Sequence, residues 1–271
     1  MAGVSSASEA KVLGELEPSL ATASLSLAEE LFSVLSTVDS SAALRRALTD
    51  PSREASAKSE LLASLVRGKV SEPAQQLVSS LATERWAAPR DLGDALETVA
   101  ATVTIAVAEN SAAGATGLEK LENDLFSFNQ QVESSHEVQR ALSAPQASVE
   151  AKVKLAFALV PQAGDPAKVL ISQAVSNPRG VRPAKLIERF ATLAARRQER
   201  WIATVTVSRP LSESQQSRLE AGLNNLYGRE LKVNVSVDPA LIGGVRVKVG
   251  DEVVDSTVIA RLAELRRQLV G

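Results

Sequence analysis

Hydrophobic residues recur at helical spacing over most of the first two hundred positions. Apolar side chains three and four residues apart form stripes, and prolines at Pro51, Pro89 and Pro145 interrupt them. This pattern predicts a succession of amphipathic helices packed on one another. The clearest of them are expected at about 20–38, 53–67, 89–110, 116–133 and 147–160.

The pattern changes after Trp201, where alternation of apolar and polar residues becomes frequent. Three runs with this period of two predict strands at 203–207, 231–237 and 245–249. Ser212 and Gln215 have the spacing of a capping box and predict a helix between the first two strands. Gly250-Asp251 marks a hairpin into a fourth strand, and a final helix follows. The predicted order is β-α-β-β-β-α.

An internal repeat organises the helical part. Residues 31–58 and 125–152 share 12 of 28 positions at a constant shift of 94. The register fades later and slips by one residue, since Pro73 aligns better with Pro166. A phased block of this kind indicates a duplicated helical unit.

Length and repeat together predict a mainly α chain with three domains. The first is a helical bundle at 1–105 (copy 1), and the second is its repeat at 106–200 (copy 2). The third, at 201–271, is a small α/β domain. The stretch 110–117, rich in Ala and Gly, is the expected linker between the copies.

The third domain contains a specific motif. It reads D-P-x-L-I-G-G, then an alternating strand, a G-D hairpin and a basic helix. This order resembles the C-terminal signature of the delta subunit of F-type ATP synthase, a family that includes the mitochondrial oligomycin-sensitivity-conferring protein. The residues expected to be structurally important in it are Asp238, Pro239, Leu241, Ile242, Gly243, Gly244, Gly250 and Asp255.

The resemblance covers about residues 100–271, so copy 2 takes the place of the bundle that family members normally carry once. Copy 1 is then the extra unit of a long bacterial form, and the sequence does not indicate its role. The family implies a non-catalytic stator subunit, one per complex, peripheral at the cytoplasmic face of the cell membrane. Its expected partners are the N-terminal segments of the alpha subunits, bound by the bundle, and the b subunit, bound by the C-terminal domain.

The final helix is the expected contact for b. Leu262, Leu265 and Leu269 fall on one apolar stripe, with Arg266 beside it as a charged rim. Two interpretations of that stripe stay open: it covers the domain's own sheet, or it binds the partner.

The side-chain inventory gives little basis for catalysis. There is no cysteine and only one histidine, His136, and no phosphate-binding glycine motif is present. No cofactor is therefore expected. The longest nearly apolar run, 99–108, is far shorter than the roughly 20 residues of a membrane-spanning helix, so no direct membrane insertion is expected.

A different class of function remains as the alternative. The stretch 179–200 carries seven basic and two acidic residues, so a free helical-repeat protein could bind nucleic acid there. The net charge of −2 opposes that interpretation, and no nucleic-acid partner is expected.

Overall fold

The computed structural model describes residues 3–111, 115–228, 231–239, 241, 244–250 and 252–255. The chain forms two compact units, Met1–Ala194 and Ala195–Gly271. The first is helical and the second holds a small sheet, which confirms the predicted fold class.

The helical unit is built from eleven α-helices among its described residues. They are α1 (Val4–Leu16), α2 (Leu25–Asp39), α3 (Ala42–Thr49), α4 (Ala55–Val66), α5 (Glu72–Thr83), α6 (Pro89–Ser111), α7 (Ala115–Glu133), α8 (His136–Ser143), α9 (Val149–Leu159), α10 (Asp165–Ser176) and α11 (Pro183–Gln198). The helix predicted at about 20–38 begins later, because Ser24 caps α2 by accepting from the Leu27 amide. A 3-10 segment, Glu17–Thr22, precedes it.

Helix boundaries repeat along the chain as the sequence predicts. α3 and α8 are displaced by 94 residues at both ends, 42 to 136 and 49 to 143. α5 and α10 are displaced by 93, 72 to 165 and 83 to 176, and each has its proline in the first turn. The one-residue slip inferred from Pro73 and Pro166 is therefore real. The α10–α11 loop has one residue more than the α5–α6 loop and restores the shift of 94.

Local capping is also duplicated. Ser41 and Ser135 cap α3 and α8 through equivalent hydrogen bonds from the backbone three residues ahead. Arg45 donates to the carbonyls of Val38 and Asp39, and Gln139 does the same to the carbonyls of Val132 and Glu133. The corner at the end of the long helix thus has the same construction in both copies.

The two copies share α6. At a shift of 94, the first residue of α6 (89) corresponds to the first residue of α11 (183). The first residue of α1 (4) corresponds to residue 98, so the second half of α6 is the counterpart of α1. It is buried on most sides, with Ala95, Val99, Ala100 and Val103 fully inaccessible. α6 packs against α2 on one side and α7 on the other. Because one helix completes both bundles, the boundary at 105/106 stays a prediction about the repeat.

Small aliphatic side chains fill the helical core, as the low aromatic content predicts. The approach of α7 to α6 depends on Gly117, where an added Cβ would lie 2.0 Å from the Ala108 carbonyl oxygen. Phe128 and Phe190 are the largest fully buried side chains.

The second unit contains one α-helix and a four-stranded sheet among its described residues. They are β1 (Ile202–Val207), α12 (Glu213–Tyr227), β2 (Lys232–Val237), β3 (Val245–Val249) and β4 (Glu252–Asp255). The order is β2-β1-β3-β4, with β1 and β2 parallel and the other pairs antiparallel. The predicted capping box of Ser212 and Gln215 is present at the start of α12.

Candidate partner-binding surfaces

The sheet of the second unit has one apolar and one polar face. Ala203, Val205, Val207, Val247 and Val249 point into the core, where Leu223 and Leu219 of α12 pack on them. On the other face Thr204 lies between Asn234 and Lys248 across the strands. Such a half-solvated sheet can accept a partner on its polar face or along an edge.

The signature residues lie around the connection from β2 to β3. The Asp238 amide donates to the Val207 carbonyl at 2.8 Å, and its own carbonyl accepts from the Leu241 amide at 3.1 Å. This closes a turn through Pro239 and buries Leu241. The turn thereby joins the end of β2 to β1.

Two glycines of the signature have positive φ, Gly244 at 87° and Gly250 at 57°, a backbone conformation that side chains disfavour. The backbone of Asp255 pairs with Arg246 at the end of β4. Ile242 and Gly243, and the side chain of Asp255, lie outside the described residues.

The residues predicted to contact b lie outside the described part of the chain. These are Leu262, Leu265, Arg266 and Leu269. Their role stays a prediction.

A charged cluster joins the two copies in the helical unit. Arg179 lies in the loop between α10 and α11 with φ of 52°, which is uncommon for a residue other than glycine. Its Nε lies 2.6 Å from Asp39 Oδ2, at the end of α2, and its Nη1 lies 2.6 Å from Asp94 Oδ1 on α6. The side chain is only 6% exposed. A residue of copy 2 is therefore bound by carboxylates on α2 of copy 1 and on the shared helix.

A hydrogen bond to the Arg179 backbone and a close approach at Gly93 complete the binding site of Arg179. Arg90 donates from Nη2 to the Arg179 carbonyl at 3.0 Å. A Cβ at Gly93 would lie 2.4 Å from Arg179 Nη2, so only glycine admits the guanidinium at this distance. Burial opposes the charged form, but Asp39, Glu97 and Asp94 raise the pKa of Arg179 overall. The guanidinium is thus a permanent charge on which the three carboxylates converge.

Glu97 is the deepest acid of the cluster, with 2% of its side chain exposed. Its Oε2 lies 3.5 Å from Arg189 Nη1 and 3.6 Å from Arg179 Nη1. Oε1 has no hydrogen-bond partner within the described part of the chain. Burial raises the pKa of Glu97, and this outweighs the opposing effect of the two arginines.

This shift makes the contribution of Glu97 to stability depend on pH. Because its folded pKa lies above the ordinary 4.5, its contribution is fully present below pH 4.5 and is lost as pH rises through the folded pKa. We expect the unfolding free energy of the wild type minus that of Glu97→Gln to fall as pH rises above about 4.5. Urea unfolding of both proteins at several pH values measures it, and a difference that is constant or rises would contradict the assignment.

A groove opens on copy 2 between the end of α7, α8 and the start of α11. It encloses about 550 Å³. Val132, Leu142 and Pro183 form its apolar floor, and Glu133 and Glu188 stand at its rim. A groove of this size can receive a segment of a partner protein.

Three of the seven basic side chains in the stretch 179–200 face acids. Arg179 is held by carboxylates, Arg189 approaches Glu97, and Lys185 Nζ lies 2.6 Å from Glu188 Oε2. Pairing of this kind reduces the charge that is available to neutralise phosphates. This arrangement weighs against the nucleic-acid alternative.

The described residues contain no group of three or more His, Cys, Asp or Glu side chains placed to hold a metal ion. Among the same residues, none of the helices combines the length and apolar character required to cross a lipid bilayer. The features present are a duplicated helical unit, an open groove and a sheet with one solvated face. They are those of a protein that binds other proteins.

Comparison with known proteins specifies this class. The family model of the ATP synthase delta (OSCP) subunit matches residues 99–269, close to the extent inferred from the sequence motif. The chain therefore belongs to the ATP synthase delta (OSCP) subunit family, as the resemblance predicted. The match begins within α6 and leaves residues 1–98, most of copy 1, outside it.

Relatives share the whole length of the chain, copy 1 included. It is 72% identical over 271 residues to an ATP synthase subunit delta of Renibacterium salmoninarum, and 100% of each chain is covered. It is 40% identical over 273 residues to that of Thermobifida fusca, again with full coverage of both. A chain in the cryo-EM structure of the Toxoplasma gondii mitochondrial ATP synthase hexamer is 23% identical with a TM-score of 0.37, covering 63% of this chain and 95% of that one.

Proposed function

We propose that this chain is the non-catalytic adaptor of the ATP synthase stator, which links the alpha subunits of the catalytic head to the b subunit. The observation that carries the proposal is the family match over 99–269 combined with full-length relatives named ATP synthase subunit delta. The helical unit binds N-terminal alpha segments, and the C-terminal unit binds b. One copy serves each complex at the cytoplasmic face of the membrane.

The task of such an adaptor is mechanical. Rotation of the central stalk exerts torque on the head, and the stator must hold the head still. Slow dissociation is therefore required, and a few well-packed side chains at each contact provide it more effectively than contact area alone. Two contacts on one chain also raise the effective concentration of the second partner once the first is bound.

The construction of the helical unit suits this task. α6 belongs to both copies, and the Arg179 cluster joins the α10–α11 loop to α2 and α6. A load applied to one copy therefore passes to the other through a shared helix and buried ion pairs. A rigid body transmits torque without absorbing it in local unfolding.

A charged substitution in the predicted apolar stripe of the final helix tests the contact with b. We expect Leu265→Asp to weaken b binding by a factor of about 30 or more, the range for loss of a central apolar residue at an interface. Ala263→Asp adds the same charge on the opposite side of the predicted helix and is the matched control. Affinity is measured with purified b, while circular dichroism checks that the helical unit remains folded.

Equal binding by the two variants would remove the final helix from the b interface. If Leu265→Asp also lowered the stability of the C-terminal unit, the stripe would be covering its own sheet, the second of the two interpretations that the sequence left open.

A further inference from the structure

The first half of α1 is attached to copy 1 by polar contacts. Four residues of α1 are buried, two hydroxyl-bearing and two apolar: Ser5, Ser8, Val12 and Leu16. Ser5 Oγ donates to Asp91 Oδ2 at 2.6 Å and accepts from the Ala87 amide at 2.8 Å. Ser8 Oγ donates to the Arg85 carbonyl at 2.8 Å. The first two turns are therefore docked by hydrogen bonds, which the same groups can form with water once they separate.

The counterpart of α1 in the other copy, the second half of α6, is docked by apolar side chains instead. At a shift of 94, Ser5 corresponds to Val99, which is fully inaccessible. Glu9, which is half-buried, corresponds to Val103, which is also fully inaccessible. Water replaces a lost hydrogen bond but not a lost apolar contact, so separation costs more for valine than for serine. The first half of α1 is therefore docked more weakly than the same turns of α6.

The carboxyl group of Glu9 weakens this docking further. Its neighbours are Thr98 and Asp94 on α6, Arg189 on α11 and the charged amino terminus. Burial raises the pKa of Glu9, and this outweighs the hydrogen bond with Thr98 and the attraction of the two cations. The contribution of Glu9 to docking is thus fully present below its ordinary pKa of 4.5 and is lost as pH rises through the docked pKa.

The helix itself offers little compensation for this weak docking. Its N-cap residue, Gly3, makes no side-chain capping hydrogen bond, and its first turn carries no acidic residue. Gly14 lies inside the helix, where glycine is less favourable than alanine. Lys11 Nζ lies 2.5 Å from Glu84 Oε1, but the lysine side chain is 61% exposed, so the pair contributes little.

We propose that the first half of α1, residues 4–11, is a detachable segment that separates from residues 84–91 while the rest of the helical unit stays folded. Val12 and Leu16 are buried and hold the second half of the helix in place. Separation exposes the Arg85 carbonyl, the Ala87 amide and the Asp91 carboxylate to solvent. The inference rests on the comparison of the two copies and does not depend on the proposed function.

Native-state hydrogen exchange of the full chain, followed by mass spectrometry, tests this inference. Amides 7–11 are compared with their counterparts 101–105 in the same molecule. We expect protection factors at 7–11 to be lower by a factor of about 100 or more, because a locally opening segment exchanges without global unfolding. Low concentrations of urea should leave exchange at 7–11 nearly unchanged and accelerate it at 101–105, since local opening exposes little surface.

A neutral side chain at position 9 provides the second measurement. At about pH 8, where the carboxyl group is ionised, Glu9→Gln should raise the protection of amides 7–11 and leave amides 101–105 unchanged. Glu15→Gln, an exposed position on the same helix, is the matched control and should change neither set. Equal protection of the two sets, equal dependence of both on urea, or protection at 7–11 that Glu9→Gln does not raise would each overturn the proposal.

Discussion

Arg179→Ala should lower the free energy of unfolding of the helical unit by about 3–5 kcal/mol, the usual cost of removing one partner from a buried ion pair. The reason is the convergence of Asp39, Asp94 and Glu97 on one guanidinium. Its removal leaves each of these largely buried carboxylates with only a longer contact to another arginine, at 3.5–3.8 Å. Urea unfolding followed by circular dichroism measures the loss.

Arg182→Ala is the matched control, three residues further along and exposed, and should change stability by no more than about 0.5 kcal/mol. Arg179→Lys should recover only part of the loss, since an ammonium cannot donate to Asp39 and Asp94 with the same forked geometry. Equal stability of the alanine variants at 179 and 182 would mean that the cluster does not hold the copies together.

Phe128→Ala should also destabilise the helical unit by about 3–5 kcal/mol, because the change leaves a cavity in a closely packed core. Phe128 is fully inaccessible, and it lies on α7 two residues from Phe126, which is 67% exposed. Phe126→Ala should therefore shift the stability by no more than about 0.5 kcal/mol.

The pair of phenylalanine variants tests which side of α7 faces the core. If both variants destabilised the chain equally, Phe126 would be part of the core, contrary to its 67% exposure.

Much of this fold could be predicted because its signals are local. Ser41 and Ser135 cap helices by accepting hydrogen bonds from backbone amides three residues ahead. Ser212 caps α12 in the same way, with Gln215 completing the capping box. Prolines mark the helix starts closely enough that Pro73 and Pro166 already indicate, in the sequence, the change of the repeat shift from 94 to 93. Strand alternation predicted β1 to β3 within a residue or two.

The Arg179 cluster could not be predicted for the opposite reason. Arg179 and Asp39 are 140 residues apart, and nothing in the local pattern of either indicates the other. Arg179 also belongs to the basic stretch 179–200, for which the sequence suggests only a candidate nucleic-acid surface. One available signal was Gly93, since a glycine inside a helix needs a reason such as a close approach.

The repeat also allows equivalent residues of the two copies to be compared in exposure. Phe32 and Phe126 were recognised as equivalent, but their burial differs because only copy 1 has a neighbour covering this side chain. Only the structure shows which of two equivalent residues is covered by a neighbouring helix. The predicted b contact in the final helix stays a prediction, because it lies outside the described residues.

Co-purification from native membranes is the most direct test of the central proposal. The full chain carries an N-terminal tag, the membranes are solubilised gently, and the bound proteins are identified by mass spectrometry. The stator adaptor predicts that alpha, beta and b subunits are recovered together with this chain. Recovery of nucleic acid, or of no ATP synthase subunit, would contradict it.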